Sequence, residues 1–303
     1  MFGRPQYNYP EFKKTGLTKM MERQFGDAPD PGERAPNFEL RTVDGDKVRL
    51  SDYRDDRNVV LTFGSATCPL TAANISGLRD LYDDFSDDVE FLFVYVREAH
   101  PGEELPPHHD MNDKVRAAEL LRDEEELEMP VLIDDLSGKV HRKYSGQPNP
   151  SFLIDKSGRV AYRQLATDPA ALRGAIEELL DHQRERGVDH AIVHGGQDLS
   201  MPAIRPMVYA HRALERGGQR SISNFRNEFG IPGRMAVAGG RVARPVADHP
   251  VITIAGAVGV IGAIAAGLWI GTELRQRRFA RRPYEFPRYK QGDNFSDYEA
   301  VGI

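Results

Sequence analysis

The sequence predicts an α/β domain with a mixed central sheet flanked by helices over residues 31–187. Two observations carry this prediction. Apolar strand signals alternate with amphipathic helix signals between residues 58 and 134, and a strand pair followed by a helix occupies 151–187. Strand–helix–strand units require parallel pairing through right-handed crossovers. The closing strand pair adds antiparallel strands, so the sheet is mixed.

The elements follow one another as β-β-β-α-β-α-β-β-β-α, which is the thioredoxin-like layout. PNFEL and DKVRL flank the turn VDGD and predict a hairpin, and NVVLTFG at 58–64 predicts a buried strand. A helix is predicted from Pro69 to about Phe85, because proline suits the first turn of a helix. The remaining predicted elements are a strand at 89–96, a helix from Asn112 to about Leu127, strands at 130–134, 151–155 and 159–165, and a helix at 168–187.

The flanking regions differ in composition from this domain. Residues 1–30 are predicted to form an irregular N-terminal arm without a secretory signal, 188–249 a Gly/Pro-rich linker region, and 273–303 a basic polar tail. Residues 251–270 read VITIAGAVGVIGAIAAGLWI and carry no charge. At about 1.5 Å per residue this stretch spans roughly 30 Å, so a transmembrane helix is predicted over 250–272.

The predicted span also carries small residues at every fourth position, a stripe that would let two copies pack as a homodimer. These residues are Ala255, Gly259, Ala263, Gly267 and Gly271. Lys and Arg are concentrated after the span, which by itself would place the tail in the cytoplasm. The α/β domain precedes the span and has no secretory signal, and a long N-terminal domain is not readily exported without one. The chain has a single cysteine, which in any redox reaction needs a supply of reductant. We therefore expect a single-pass membrane protein whose α/β domain is cytoplasmic.

Composition narrows the function. The formal net charge is −6, which argues against nucleic acid as a partner because phosphate-binding surfaces are normally basic. Cys68 is the one cysteine among 303 residues, so an internal disulfide is excluded. Any redox cycle must be completed by an external thiol, either thioredoxin or a low-molecular-weight thiol. No bound cofactor is predicted.

Cys68 lies between the strand at 58–64 and the helix that begins at Pro69. The positive end of a helix dipole favours a thiolate at such a turn. A dithiol Cys-x-x-Cys site is excluded because Thr71 holds the fourth position. The common peroxiredoxin pattern Pro-x-x-x-Thr-x-x-Cys fits poorly, since Leu61 and Ser65 stand where proline and threonine are needed.

Two short motifs and a helix resemble the iodothyronine deiodinases. GSATCP at 64–69 is similar to the family's Gly-Ser-x-Thr-selenocysteine-Pro segment, with Cys68 in the place of selenocysteine. VYVREAHP at 94–101 matches a strand that ends in Glu-Ala-His-Pro. PPHHDMNDKVRAAELL at 106–121 resembles the Pro-x-His and helix that follow. The resemblance extends over about residues 58–165.

This resemblance implies a thioredoxin-fold oxidoreductase that removes iodine from a phenolic ring, a small-molecule substrate. Cys68 would be the nucleophile, with Ser65 and Thr67 as flanking hydroxyls. Glu98 and His100 match the strand-end motif, and His108 takes the place of the later histidine. The peroxide-reducing alternative stays open, as do a membrane-tethered adaptor without turnover and a redox sensor that uses the same thiol.

The residue chemistry agrees with this assignment. A thiolate that attacks a halogen or a peroxide oxygen becomes an oxidised sulfur, and an imidazole can supply the proton for the leaving group. Glu98 and His100 lie two residues apart at a strand end, so we expect both on one side, where Glu98 could orient the ring. Pro150 precedes a strand and faces the thiol turn in this fold, so it is predicted to be a cis-proline. Together with Ser65 and Thr67, it is expected to bind the substrate or stabilise the thiol. The histidine spacing fits no closed zinc pattern, so no metal is predicted.

Overall fold

The computed structural model describes residues 7–13, 28–194 and 204–247. A short 3-10 helix occupies Leu50–Tyr53. The strands are β1 Glu39–Thr42, β2 Lys47–Arg49, β3 Asn58–Gly64, β4 Val89–Tyr95, β5 Val131–Ile133, β6 Ser151–Ile154 and β7 Val160–Gln164. The helices are α1 Pro69–Phe85, α2 Met111–Glu124, α3 Lys139–Lys143, α4 Pro169–Arg186, α5 Ile204–Gly217 and α6 Gln219–Ala247.

The strands form a seven-stranded sheet in the order β2-β1-β5-β4-β3-β6-β7. Strand β4 pairs in parallel with β3 and β5, through the crossover helices α1 and α2. Strand β6 pairs antiparallel with β3, and β7 antiparallel with β6. The mixed thioredoxin-like sheet expected from the sequence is therefore confirmed.

Strand β3 explains why this sheet lies at the centre of the domain. All of its residues are buried, and successive side chains enter different apolar clusters on the two faces. Val60 packs on one face with Phe91 and Phe93 of β4, while Leu61 and Phe63 pack on the other. Both faces are covered, as expected for strands that read as continuous apolar runs. The carboxyl ends of β3 and β4 therefore belong to the part of the sheet that is packed on both faces.

Helix boundaries follow the capping signals in the sequence. The Asp168 carboxylate accepts the amide N–H groups of Ala170 and Ala171 at the start of α4, and Gly187 ends the helix in the left-handed region at φ 62°. Helix α2 ends at Glu124, a few residues before the predicted Leu127, and the short helix α3 was not expected. Both differences concern boundaries or a single turn, which local patterns specify weakly.

The structure differs from the sequence-based expectation in part of the predicted linker, 188–249, where α5 and α6 form. Their apolar residues make a separate small core, and Gly230 provides the non-helical φ of 60° at a kink inside α6. The core residues are Ala210, Leu214, Ile222, Phe225, Ala236 and Val237. Tertiary packing thus outweighs the glycines and proline that argued against helix.

The N-terminal arm and the C-terminal region flank the central domain. Within the arm, residues 7–13 are irregular, as expected, yet Tyr7 and Phe12 are buried. The predicted transmembrane segment and the basic tail lie outside the described residues. Among the helices that the structure does describe, none is both long and apolar enough to cross a bilayer.

Candidate functional site

The turn after β3 positions the single thiol. Cys68 is the N-cap residue of α1, its N–H donates to the Ser65 carbonyl oxygen at 3.2 Å, and its own carbonyl oxygen accepts the N–H of Ala72 at 3.0 Å. Gly64 is required just before this turn, because a Cβ there would lie 2.6 Å from both the Thr71 hydroxyl and the Phe93 ring. The thiol is therefore held tightly at the carboxyl edge of the parallel strands.

Burial dominates the electrostatics of this thiol. Cys68 is 1% exposed, and burial raises its pKa above the ordinary cysteine value. The Thr71 N–H and hydroxyl and the Leu70 N–H act in the opposite direction, while the Glu98 charge adds to the increase. The expectation of a thiolate favoured by the helix dipole is thus wrong for this closed arrangement, because desolvation outweighs the helix N-terminus.

Glu98 is the centre of the buried polar network beside the thiol. Its carboxylate accepts the Thr67 N–H at 3.0 Å and the Thr67 hydroxyl at 2.6 Å. It also accepts the Tyr95 hydroxyl, and His108 Nε2 lies 3.3 Å from Glu98 Oε1. Burial raises the pKa of Glu98, but the His108, Thr67 and Tyr95 contacts outweigh it and hold the pKa below its usual value. The network therefore contains an ionised carboxylate.

Removing this carboxylate is expected to destabilise the fold. The Glu98→Ala variant would leave the Thr67 donors and the Tyr95 hydroxyl buried without their acceptor, at a cost of about 3 kcal/mol. Urea unfolding at pH 7 measures this loss. The exposed Glu128→Ala on the same domain is the control, expected to change stability by less than about 0.5 kcal/mol. Equal effects of the two variants would contradict the network.

His100 occupies a different environment from the one expected. Its ring lies 4.3 Å from the Phe12 ring and 5.2 Å from the Phe225 ring, centroid to centroid, and Nδ1 has no hydrogen-bond partner among the described residues. Burial lowers the pKa of His100 to about 3, against a small increase from the Glu98 charge. His100 is therefore neutral near pH 7, and Glu98 contacts His108 instead of orienting this ring.

The other predicted site residues form hydrogen bonds to the segments around the thiol turn. The Ser65 hydroxyl accepts the Ala99 N–H at 3.2 Å, and the Thr67 hydroxyl accepts the His100 N–H at 3.0 Å. The Pro150 carbonyl oxygen accepts the Phe63 N–H at 3.1 Å. The predicted cis-proline is wrong, because no peptide bond in the described residues is cis. Nor do these residues include any group of three or more His, Cys, Asp or Glu side chains placed to share a metal ion.

Helices α5 and α6 fix the loop that carries His100. The Ser221 hydroxyl donates to the His100 carbonyl oxygen at 2.8 Å, and the Glu103 carboxylate accepts the N–H groups of Gln219 and Arg220 at the start of α6. Arg216 Nη1 donates to the Ala66 carbonyl oxygen, in the thiol turn, at 3.3 Å. Segments far apart in sequence thus close around one site.

Arg216 links α5 to the domain through a buried ion pair. It pairs with Glu124 at 2.6 Å and with Glu125, and the side chains of Arg216 and Glu125 are each 5% exposed. Arg216→Ala would leave the Glu125 carboxylate buried with a weaker partner, and we expect a loss of about 3 kcal/mol in urea unfolding. Arg116→Ala, which breaks the exposed pair with Asp113, should cost less than about 1 kcal/mol. A similar loss in both variants would contradict this role.

Sequence reasoning did not identify four residues of the site. Tyr95 and Thr71 lie within or beside the quoted motifs, so their spacing from Glu98 and Cys68 was an available signal. Tyr9 and Arg216 reach the site from segments before and after the central domain, and no local pattern marks them.

The fold and the site define a class, the oxidoreductases with a thioredoxin-like fold. The sequence model of the iodothyronine deiodinase family matches residues 13–173, just over half of the chain. The chain therefore belongs to the iodothyronine deiodinase family.

Individual relatives agree with this assignment. The chain is 33% identical over 143 residues to a thyroxine 5-deiodinase of Gallus gallus, covering 44% of this chain and 55% of the relative. It is 26% identical over 176 residues to a type I iodothyronine deiodinase of Xenopus laevis, covering 52% and 69%. The matched part of the chain thus spans about half the length of the thyroxine 5-deiodinase.

Solved structures with a similar chain course include thioredoxin-like proteins of bacteria. An exposed lipoprotein thioredoxin of Streptococcus pneumoniae is 27% identical with a TM-score of 0.39, covering 48% of this chain and all of that one. The thioredoxin domain of a thiol-disulfide oxidoreductase of Bacteroides vulgatus is 19% identical with a TM-score of 0.39, covering 50% and 98%.

Proposed function

We propose that the protein is a thiol-dependent reductive dehalogenase that removes iodide from an iodinated phenolic ring, with Cys68 as nucleophile. One observation carries the proposal. Thr67, the residue before the thiol, holds the ionised Glu98, and Glu98 in turn faces His108 at 3.3 Å. A nucleophile and a paired acid–base group thus lie in one buried site, in a chain of the deiodinase family.

The proposed reaction has three steps. The Cys68 thiolate attacks iodine, so the carbon–iodine bond breaks and a sulfur–iodine bond forms, while the aryl carbon keeps the electron pair and takes a proton. An external thiolate then attacks the sulfenyl iodide, releasing iodide and leaving a mixed disulfide. A second external thiolate attacks this disulfide and restores Cys68. In sum, two thiols are oxidised to a disulfide and one aryl iodide is reduced.

The proton for the aryl carbon is assigned to the Glu98–His108 pair. His108 is the proton donor of this pair, and the Glu98 carboxylate, 3.3 Å from His108 Nε2, is the group that would orient the ring and stabilise its positive charge. His100 is neutral and lies among aromatic rings, so we assign it a packing role at the edge of the site. This differs from the proton-donor role expected for His100 from sequence.

Several finer features belong to the same proposal. The stretch 251–270 anchors the protein in a membrane as a single pass, its small-residue stripe supports a homodimer, and the catalytic domain faces the cytoplasm, where thioredoxin or low-molecular-weight thiols are available. A chain with one cysteine depends on such an external reductant in every cycle.

Iodide release from an iodinated phenol in the presence of excess thiol tests the activity. We expect release that rises with protein concentration and stops when the thiol is omitted. The same protein is then assayed with hydrogen peroxide as the oxidant. Peroxide consumption without iodide release would replace dehalogenation by the one-cysteine peroxide reductase alternative. If the protein shows neither iodide release nor peroxide consumption, the alternative of a membrane-tethered adaptor would be favoured.

A further inference from the structure

An aromatic residue of the N-terminal arm fills a pocket lined by cations. The Tyr7 ring centroid lies 4.6 Å from the Arg97 guanidinium carbon, 5.1 Å from that of Arg142 and 6.0 Å from Lys114 Nζ. The Tyr7 hydroxyl is 2.8 Å from His141 Nδ1, and the residue is 5% exposed. Cations at these distances are attracted by the negative face of an aromatic ring. The pocket is therefore built to hold a ring with a hydroxyl group.

The fit of this ring is close. Gly138 forms one wall in a left-handed conformation, and a Cβ there would lie 2.0 Å from the Tyr7 ring. Lys114 is fully buried, and burial lowers its pKa to about 8 despite the charges of Asp134 and Asp135. Its Nζ donates to the Asp135 carbonyl oxygen at 3.2 Å. Three cations, Arg97, Arg142 and Lys114, thus surround the Tyr7 ring, with the Asp134 and Asp135 carboxylates as counter-charges to Lys114.

A second phenol of the same segment lies between this pocket and the thiol. The Tyr9 hydroxyl donates to the Ala99 carbonyl oxygen at 2.9 Å, and the Arg97 guanidinium lies 5.1 Å from its ring centroid. Ala99 is joined in turn to the thiol turn through the Ser65 hydroxyl. Burial raises the pKa of Tyr9 although the Arg97 charge lowers it, and the phenol is held beside Arg97 on the loop that contacts the thiol turn.

We propose that the pocket lined by Arg97, Lys114 and His141 is the binding site for a phenolic substrate, and that Tyr7 and Tyr9 are internal occupants which the substrate displaces. The inference rests on the proposed function. Iodine withdraws electrons from a phenol, so an iodinated phenol ionises more readily than tyrosine. A phenolate gains attraction to Arg97 and Lys114 that the neutral Tyr7 lacks, which explains how an external ligand competes with a tethered one.

Binding of 2,6-diiodophenol tests this competition without requiring turnover. Calorimetry is done on Cys68→Ser, so that no iodide can be released by the thiol. Because Tyr7 and Tyr9 fill the pocket in the free protein, the double variant Tyr7→Ala, Tyr9→Ala should bind 2,6-diiodophenol about tenfold or more tightly. Lys114→Met in the same background should weaken it by about tenfold. Tyr53→Ala, at the opposite end of β3, should leave binding unchanged.

A second measurement covers the case in which the tyrosine variants pack poorly. A peptide of residues 7–13, YNYPEFK, is added to the double tyrosine variant and should compete with diiodophenol. Unchanged binding after both substitutions, or no competition by the peptide, would overturn the inference. Diiodophenol binding with these expected changes but no iodide release by the wild-type protein would retain the pocket and reject dehalogenation, so the two failures are distinguishable.

Discussion

The Cys68→Ser variant is expected to release iodide from an iodinated phenol no faster than the assay mixture without protein. A serine hydroxyl does not ionise near neutral pH and forms no stable bond to iodine, so the first step has no nucleophile. Because Cys68 is the single cysteine of the chain, no second thiol can take its place. The measurement is the initial rate of iodide release at saturating thiol, compared with the wild-type protein.

The structure explains why this variant should remain folded. Cys68 is the N-cap of α1, and serine is among the residues preferred at that position because its oxygen accepts the N–H groups of the first turn. The urea midpoint of Cys68→Ser should therefore equal or exceed that of the wild-type protein. Retained iodide release in a folded Cys68→Ser protein would reject Cys68 as nucleophile. Loss of release together with unfolding would be resolved by Cys68→Ala, which removes the thiol without placing a polar group at this buried position.

The parts of the fold that could be predicted are those whose cause is local. Strand β3 reads as a continuous apolar run, Asp168 and Pro169 mark the start of α4, and Pro69 marks the start of α1 directly after the thiol. These signals act within a few residues, and the order of the elements then fixes the thioredoxin-like sheet. The family motifs singled out Thr67 and Glu98 as site residues, and the structure joins the two across neighbouring strand ends.

The parts that could not be predicted depend on contacts between distant segments. Arg216 reaches Glu125 and the thiol turn from a segment whose glycines and proline argued for a linker. The pKa shifts of Cys68 and His100 have the same origin, since their sign is decided by burial under segments whose packing no local pattern reveals. The motifs identified several side chains of the site, whereas the packing of the rest of the chain determines their partners and the direction of their pKa shifts.

The burial of the thiol links these observations to the mechanism. At 1% exposure Cys68 cannot meet a substrate unless part of its surroundings moves, and its raised pKa falls only if the site gains polar or cationic neighbours. Displacement of Tyr9 by a phenolate would open space beside the thiol, with Arg97 available to stabilise negative charge. Substrate entry would then be the step that gives the thiol access to the iodine atom.

His100 is expected to make the fold sensitive to acid. Its pKa is about 3 in the folded protein against about 6.5 when unfolded, so below pH 6.5 the unfolded chain binds a proton that the folded chain does not. The contribution of His100 to the free energy of unfolding is fully present above pH 6.5 and is lost as the pH decreases towards 3. Between pH 7 and pH 5 the expected loss from this residue is about 2 kcal/mol, before the carboxylates begin to titrate.

Replacing His100 with phenylalanine should remove this part of the acid sensitivity, because phenylalanine takes up no proton and packs against Phe12 and Phe225. Urea unfolding at pH 7 and pH 5 measures the difference in both proteins. His141, whose pKa burial also lowers, is present in both and cancels in the comparison. His109→Phe, at an exposed position in the same loop region, controls for the loss of a histidine. An equal loss of stability in wild-type and His100→Phe proteins would show that His100 takes up its proton in the folded state, and that its ring is open to water.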